Sequence, residues 1–343
     1  MKSMTKQTRK IAILGAGSWG TALASTFSMN GNQVILWGKN QSDIDDINQN
    51  HQNRRFLQEA FLDKNLKATT DLKDAVKDAE IVLFVVPTSA VRQVAGQLAS
   101  ILPSLKSEII FGHAIKGIEV DSNKRVSQMI SEEIPSINED DLFFISGPSH
   151  AESVVKRAIT LVAVASSNQA RAAIIQAALS NSFFRVYTNS DLYGSEYAAA
   201  LKNVLAIAGG IIKGLKMTDN TQAALVTRGL SEMRRLGVAL GGKSETFNGL
   251  AGLGDLIVTA MSANSRNFRA GLGLASGKDL KQVQKEMGMV IEGVKTAKAV
   301  DQLSRKNNIS MPISESVYKI LYENAKIDDV VADLMNRPLI SEE

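Results

Sequence analysis

One lysine lies in the middle of a long apolar stretch, and its surroundings suit it to acid–base chemistry. Lys202 falls within residues 197–212, where most side chains are small or apolar, and its neighbours on one face of a helix would be Ala198, Leu205 and Ala206. A partly desolvated lysine has a depressed pKa, so it can exchange a proton with a substrate hydroxyl or carbonyl near neutral pH. The alternative is a lysine whose ammonium group reaches solvent from the edge of the helix.

A glycine-rich turn near the start of the chain predicts a site for the pyrophosphate of a dinucleotide. Gly15-Ala16-Gly17-Ser18-Trp19-Gly20 fits the pattern GxGxxG, directly follows an apolar run and directly precedes a helical pattern. In this setting Gly15 permits a tight turn, Gly17 lets the backbone approach the pyrophosphate, and Gly20 lets helix and strand pack closely. The helix N-terminus offers free N–H groups to the anion. A glycine-rich turn without function is the alternative.

The residues after the second apolar run bear on the choice of nicotinamide cofactor. In NAD-binding proteins an acidic residue about 20 positions beyond the glycines hydrogen-bonds the ribose 2′-hydroxyl. Here that place holds Gly38-Lys39-Asn40, with a cation and no carboxylate to repel a 2′-phosphate. We therefore predict that the protein accepts NADPH, alongside NADH or in preference to it. The alternative role for Lys39 is that of a solvated surface lysine.

Two motifs in the second half of the chain carry polar groups that suit a phosphorylated substrate. Asn264-Ser265-Arg266-Asn267 combines hydroxyl, guanidinium and amide donors, and an arginine can bind two phosphate oxygens at once. Asp255 follows Gly252-Leu253-Gly254 and precedes an apolar run. The alternatives are a polar loop that opens a helix for the first motif, and a helix cap for Asp255.

Two segments in the first half directly follow predicted strands. One is Gly147-Pro148-Ser149-His150-Ala151, and the other contains Lys116. In open α/β folds, ligands bind outside the carboxyl ends of the strands, so both segments are candidates for ligand contact, and Lys116 for phosphate contact in particular. A plain turn and a surface charge are the respective alternatives.

Short apolar runs alternate with helical patterns over residues 1–190. Runs that are apolar on both faces are typical of a parallel sheet covered by helices on each side, so we predict a Rossmann-type doubly wound parallel sheet of the α/β class. The predicted strands are Lys10–Leu14, Gln33–Trp37, Ile81–Val86, Glu108–Phe111, Leu142–Ile145, Thr160–Val164 and Phe183–Thr188.

The residue composition and its periodicity change after residue 190. Runs rich in β-branched residues give way to stretches rich in Ala, Leu, Gly and Met with helical spacing, and Ser190-Asp191 predicts the start of a helix. We therefore predict two domains, a dinucleotide-binding domain over residues 1–190 and an all-helical substrate and catalytic domain over residues 191–343. A chain of 343 residues fits this number, since domains average about 150 residues.

Composition excludes several classes of function. The 39 basic and 35 acidic residues give a net charge of +4 without a basic run, so no nucleic-acid partner is predicted. The chain has no cysteine, and its 3 histidines lack ligand spacing, so no metal site is predicted. The N-terminal segment MKSMTKQTRK lacks the apolar core of a secretion signal, and residues 197–212 are shorter than the roughly 20 needed to span a bilayer. We expect a cytoplasmic protein without a transmembrane segment.

Taken in order along almost the whole chain, these motifs resemble those of the bacterial NAD(P)-dependent glycerol-3-phosphate dehydrogenase family. The matching segments are GAGSWGTALA, the NxxHxN pattern around His51, Val86-Pro87-Thr88-Ser89, Lys116-Gly117-Ile118-Glu119, GPSHAE at 147–152, ALKNVLAIAGGI around Lys202, Gly252-Leu253-Gly254-Asp255-Leu256, Asn264 to Asn267, and Val290-Ile291-Glu292-Gly293. The ordered set is far more specific than any one motif.

This resemblance implies reversible reduction of dihydroxyacetone phosphate to sn-glycerol 3-phosphate for phospholipid synthesis, by a homodimer, with Lys202 as the proton carrier. The implied substrate contacts are Lys116, Gly147, Ser149, Lys202, Asp255, Ser265, Arg266 and Asn267. The implied dinucleotide contacts, beside the glycines, are Ser18, Trp19, Lys39, Lys116, Ala151, Arg266, Val290 and Glu292. One departure is Gly112-His113-Ala114, where the family pattern has smaller or hydroxylic residues, so His113 has no assigned role.

Two other functions remain open from the residues. A β-hydroxyacid or 6-phosphogluconate dehydrogenase shares the two-domain architecture and a catalytic lysine, although the motifs at Asp255 and at 264–267 argue against it. The second is a redox sensor that binds a dinucleotide and catalyses no reaction, but in such a protein Lys202 and Asp255 would have no function. An assay of NADPH oxidation with dihydroxyacetone phosphate separates these cases.

Overall fold

The computed structural model describes residues 7–58, 60–104, 108–288, 290–339 and 341. The strands are β1 (Lys10–Leu14), β2 (Gln33–Trp37), β3 (Lys67–Thr69), β4 (Ile81–Phe84), β5 (Ile110–His113), β6 (Phe143–Ser146), β7 (Thr160–Ala165) and β8 (Phe184–Asn189). The predicted strands are confirmed, each to within two residues at either end. Strand β3 was not predicted, because polar Lys67 and Thr69 flank Ala68 and leave no apolar run.

Helices occupy the connections between strands and nearly all of the chain after β8. Before β8 they are α1 (Ser18–Met29), α2 (Gln41–Asn50), α3 (Arg54–Leu57), α4 (Leu72–Val76), α5 (Val91–Ile101), α6 (Val126–Glu133), α7 (Ala151–Val154) and α8 (Gln169–Leu179). After β8 they are α9 (Leu192–Gly214), α10 (Asp219–Ala239), α11 (Ser244–Phe247), α12 (Asp255–Ala260), α13 (Arg266–Ala275), α14 (Leu280–Met287), α15 (Glu292–Lys306), α16 (Pro312–Tyr322) and α17 (Ile327–Met335).

The eight strands form one sheet in the order β3-β2-β1-β4-β5-β6-β7-β8. This confirms the predicted doubly wound α/β fold, with one correction. Neighbouring strands are parallel except β6 and β7, which are antiparallel. The connection between these two strands contains only the four-residue helix α7. A parallel neighbour needs a longer crossover, usually a full helix, whereas an antiparallel neighbour does not.

Contacts divide the chain into two compact units. The first comprises the chain up to Lys116 together with Lys124–Glu196, and the second comprises Gly117–Asn123 together with the chain from Tyr197 onwards. The predicted division at 190/191 differs from this in two respects. Segment 117–123 belongs to the second unit, because Ile118 is buried in that unit's core. The division also falls inside α9, because Glu196 near its start bonds to α6 of the first unit.

Each unit has its own apolar core. In the first unit the core lies on the faces of the sheet, and β1 is buried from Ile11 to Leu14. In the second unit the core surrounds α9, which is apolar on nearly all sides and buried along most of its length. The predicted buried helix over residues 197–212 is thus confirmed, and so is the predicted helix start, since the Asp191 carboxylate accepts from the Gly194 N–H.

None of the helices in the described part of the chain combines the length and apolarity needed to cross a membrane. The basic N-terminal segment that we expect not to be a secretion signal includes residues 1–6, which lie outside the described residues. The three histidines and the acidic residues, where described, form no cluster of ligands that could hold a metal ion.

Candidate functional site

The glycine-rich turn joins β1 to α1, as the sequence pattern requires. Gly15 has a φ of 131°, and a side chain on it would overlap the carbonyl oxygen of Val85. A side chain on Gly20 would overlap the carbonyl oxygen of Gly15. By contrast, a Cβ added to Gly17 would meet no described atom within 4 Å. Two glycines therefore allow close packing, and the third leaves open space beside the N-terminus of α1, where a pyrophosphate fits.

The residues next to the turn are arranged around the same end of the sheet. The Gly15 N–H donates to the carbonyl oxygen of Trp37 at 2.9 Å, which ties the turn to the end of β2. Lys39 lies two residues beyond this strand, is exposed, and donates to the side chain of Gln93 at 3.1 Å. Its charge is therefore available at the surface beyond β2. Ser18 donates to the carbonyl oxygen of Phe56 at 3.2 Å.

A second cluster follows β5 and β6. Gly147 has a φ of 141°, and its carbonyl oxygen accepts from the ammonium of Lys116 at 3.2 Å and from the hydroxyl of Ser149 at 2.9 Å. The structure therefore brings Lys116 together with Gly147 and Ser149, which the sequence placed on a second loop. Ala151 starts α7 and is buried in the core of the first unit. A lysine, a hydroxyl and a glycine backbone suit contact with a small anionic ligand.

His113, left without a role by the sequence, belongs to a buried network at the end of β5. Its Nε2 lies 3.1 Å from Oε1 of Glu196, and its Nδ1 accepts from the Ile115 N–H at 3.4 Å. Glu196 also accepts from the Arg125 guanidinium at 2.8 Å and from the Ser127 hydroxyl at 2.6 Å. Burial raises the pKa of Glu196, but hydrogen bonds from His113 and Ser127 and the charge of Arg125 lower it to about 2.

In the second unit, Lys202 is paired rather than extended to solvent. Its Nζ donates to Oδ1 of Asp255 and to Oγ1 of Thr259, each at 2.7 Å. The Thr259 hydroxyl in turn donates to the backbone carbonyl of Asp255 at 2.6 Å. All three residues are buried, with at most 5% of each exposed. Burial disfavours the ammonium charge and the carboxylate favours it, so the pair holds a cation at a defined place in an apolar setting.

The motif at residues 264–267 opens α13, and its members have different surroundings. Ser265 is the N-cap and accepts from the Phe268 N–H at 3.2 Å. Asn267 is buried, donating to Oδ1 of Asn203 and accepting from the Gly293 N–H, both at 2.9 Å. Arg266 is half-buried and has no ion-pair partner among the residues that the structure describes. The motif therefore does open a helix, as its alternative interpretation held, and the half-buried guanidinium of Arg266 lies in the first turn of that helix.

The two remaining residues implied for the dinucleotide lie at the start of α15. Glu292 is the first residue of this helix and is half-buried, and Val290, two residues earlier, is exposed. Gly293 connects them to the other motifs of the second unit through its bond to Asn267.

Several residues of these clusters were not found from the sequence. Thr259 lies four positions after Asp255, so it shares that residue's face of α12, and this spacing could have identified it. Asn203 directly follows Lys202 and was not singled out. The partners of Glu196 lie 69 or more positions away in the sequence, so no local sequence pattern indicates them.

A Rossmann-type unit with an open glycine turn, together with a helical unit that buries a lysine–aspartate pair, defines a dinucleotide-dependent oxidoreductase. Two family models match the chain, the N-terminus of NAD-dependent glycerol-3-phosphate dehydrogenase over residues 10–172 and its C-terminus over residues 191–332. The chain belongs to the NAD-dependent glycerol-3-phosphate dehydrogenase family.

Individual relatives agree with this assignment. The chain is 54% identical to a glycerol-3-phosphate dehydrogenase [NAD(P)+] of Leuconostoc mesenteroides, over 97% of this chain and 99% of that protein. It is 50% identical to the enzyme of the same name from Limosilactobacillus reuteri, over 97% and 98%. The crystal structure of glycerol-3-phosphate dehydrogenase from Coxiella burnetii is similar, with a TM-score of 0.89 and 38% identity over 96% of this chain and 99% of that one.

Proposed function

We propose that this protein interconverts dihydroxyacetone phosphate and sn-glycerol 3-phosphate with NADH or NADPH, and that Lys202 carries the proton. The observation that supports this most directly is the buried ammonium of Lys202, held at 2.7 Å by both Asp255 and Thr259. An acid–base group must be held in place to act, and the two acceptors hold the Nζ of Lys202 at a defined position. When bound, the nicotinamide supplies the hydride in reduction and accepts it in oxidation.

The proton balance of the reaction assigns Lys202 a distinct task in each direction. In reduction, the Nζ of Lys202 donates a proton to the substrate oxygen as the C=O double bond becomes a C–OH group. In oxidation, the same nitrogen, deprotonated, accepts the hydroxyl proton. The Asp255 carboxylate favours the charged ammonium form, and Thr259 helps to orient it.

Binding of the substrate phosphate is proposed for the polar residues at the start of α13. Arg266 has a planar guanidinium that can bind two phosphate oxygens, and Ser265 and Asn267 flank it at the start of α13. In the first unit, Lys116, Gly147 and Ser149 form a compact polar cluster that is proposed to contact an anionic group of the substrate. Asp255 is proposed to act on the substrate through Lys202.

The dinucleotide is proposed to bind at the glycine turn, with Gly15, Gly17 and Gly20 shaping the backbone and Ser18 and Trp19 starting α1. Further contacts are assigned to Lys116, Ala151, Arg266, Val290 and Glu292. Lys39, exposed beyond β2, is proposed to favour the 2′-phosphate of NADPH, because a cation attracts this group and the segment offers no carboxylate to repel it.

The reaction is tested by mixing purified protein with dihydroxyacetone phosphate and NADH or NADPH and following the loss of reduced nicotinamide by absorbance. Turnover with formation of sn-glycerol 3-phosphate supports the proposal. Dinucleotide binding without turnover would point instead to another hydroxyl substrate or to a redox sensor.

Cofactor preference is tested with Lys39→Asp, which places a carboxylate beyond β2. We expect the KM for NADPH to rise about tenfold or more and the KM for NADH to change much less, because the new charge repels only the 2′-phosphate. The control is Gln93→Ala, which removes the hydrogen-bond partner of Lys39 and keeps its charge. Equal changes for both cofactors would exclude a role of Lys39 in discrimination.

The cellular setting is proposed from the family. The product would supply the backbone for phospholipid synthesis, the protein would act in the cytoplasm, and it would be a homodimer. Light scattering coupled to gel filtration measures the last property directly, and a mass near 37.0 kDa would contradict a dimer. Fractionation of cells tests the location.

A further inference from the structure

We infer that Asn53 is a positioning residue for the dinucleotide site, an inference that rests on the proposed binding of a dinucleotide at the glycine turn. Asn53 is 1% exposed and lies in the segment between α2 and α3. Its amide nitrogen donates to the carbonyl oxygen of Ala16 at 3.0 Å and to the hydroxyl oxygen of Thr21 at 2.8 Å. The first of these acceptors belongs to the glycine turn, and the second to the first turns of α1.

The bond to Ala16 determines which way one peptide group of the turn faces. The C=O of Ala16 and the N–H of Gly17 belong to the same planar trans peptide, so they point in opposite directions. Because the amide of Asn53 holds the carbonyl oxygen, the Gly17 N–H is directed away from Asn53. A Cβ on Gly17 would meet no described atom within 4 Å, so this residue also borders open space that an anion could enter.

The hydrogen-bond partners of Asn53 define which end of its side-chain amide faces the turn. Both partners of the nitrogen are oxygen atoms, and the carbonyl of Ala16 can only accept, so the NH2 group must face the turn. The second bond, to Thr21, and the bond from Ser18 to the Phe56 carbonyl at 3.2 Å connect the same two segments. The segment that follows α2 thus fixes the turn from one side and leaves the other side for a ligand.

The chain provides a matched control at the opposite end of the same helix. Asn32 is also buried, at 5% exposed, and its amide nitrogen also donates to two oxygens, the carbonyls of Phe27 at 2.9 Å and Ala178 at 3.0 Å. Asn32 follows the C-terminus of α1, whereas the glycine turn precedes its N-terminus. Replacing either residue by alanine removes two donated hydrogen bonds, and at Asn32 it also removes the bond that Oδ1 accepts from the Arg9 N–H at 3.1 Å. Of the two residues, only Asn53 bonds to the turn.

The test compares Asn53→Asp and Asn53→Ala with Asn32→Asp and Asn32→Ala in the full chain. NADPH affinity is measured by fluorescence titration, stability by thermal unfolding, and kinetics with dihydroxyacetone phosphate. The aspartate preserves shape but cannot donate when ionised, and the alanine keeps the test valid if a buried carboxylate prevents folding. We expect the Asn53 variants to bind NADPH about three- to tenfold more weakly, the range expected for one net hydrogen bond, and to raise the KM for NADPH more than they lower kcat.

The Asn32 variants are expected to lose at least as much stability as the Asn53 variants without a change in NADPH affinity. If the Asn53 and Asn32 variants lower stability alike and neither changes the affinity, Asn53 has only a structural role and the inference is wrong. If the unaltered protein does not bind NADPH, the proposed function fails and this inference fails with it. Binding by the unaltered protein with unchanged affinity in the Asn53 variants overturns the inference alone.

Discussion

Replacing Lys202 by methionine tests how much the buried ion pair contributes to the stability of the fold and to turnover. Lys202 and Asp255 are 2.7 Å apart, and their side chains are 5% and 2% exposed. Methionine fills a similar volume without charge, so it leaves the Asp255 carboxylate buried and without its cation. Removing one partner of a buried pair typically costs about 3–5 kcal/mol of unfolding free energy, because an isolated buried charge is so poorly solvated.

The double variant Lys202→Met with Asp255→Asn tests the origin of that loss. It removes both charges, and the new amide can still bond to Thr259, so we expect it to recover at least about half of the stability that the single variant loses. Turnover should stay depressed by about 10²-fold or more in both, because neither retains the proton carrier. Lys213→Met, an exposed site on the same helix, should change stability by less than about 0.5 kcal/mol.

Unfolding free energies are measured by guanidinium titration and far-ultraviolet circular dichroism, since the second unit is helical, and turnover by nicotinamide absorbance. A single variant that keeps its stability would show that the pair is not buried as described. A double variant that recovers stability and turnover together would falsify the assignment of Lys202 as the proton carrier.

Glu196, Arg266 and Gly17 each allow a further test. Glu196 has a folded-state pKa of about 2 against an ordinary value of 4.5, so it stabilises the fold above pH 4.5 and this contribution is lost as the pH falls towards 2. Glu196→Gln should therefore lower the free energy of unfolding by on the order of 3 kcal/mol near neutral pH. When this free energy is measured as a function of pH, the difference between the two proteins should shrink below pH 4.5. Arg266→Ala should raise the KM for dihydroxyacetone phosphate about ten- to a hundredfold, whereas Arg269→Ala, at an exposed site on the same helix, should leave it unchanged. A KM of Arg266→Ala equal to that of the unaltered protein would argue against a phosphate contact. Gly17→Ala should keep its melting temperature, because the new methyl group meets no described atom within 4 Å, but should weaken NADPH binding about tenfold or more; unchanged affinity in a titration would show that no ligand approaches there.

Much of the fold follows from local patterns. The runs at 10–14 and 33–37 form strands with those same bounds, because apolar residues on both faces leave a parallel sheet as the way to bury them. The helix around Lys202 follows in the same way from its apolar surface, and Asp191 starts it as the cap pattern indicates. The glycine turn needed only its own six residues and the elements on either side.

Long-range partners are what the sequence alone did not determine. It could not decide whether Lys202 reaches solvent, because the answer depends on Asp255, 53 positions away, which is brought to 2.7 Å by packing of α12 against α9. It gave no role to His113, whose partner Glu196 lies 83 positions further on and whose contact exists only once α9 begins beside β5. The amide of Asn53 is a third case, since its bond to Ala16 spans 37 positions.

The physical reason is the same in each case. Secondary structure depends on residues within a few positions of one another, so periodicity and capping reveal it. Pairing of buried polar groups depends on where whole helices and strands come to rest, and on the requirement that each buried charge or amide find a partner there. The sequence determined which residues were chemically capable, and the tertiary structure decided which of them meet.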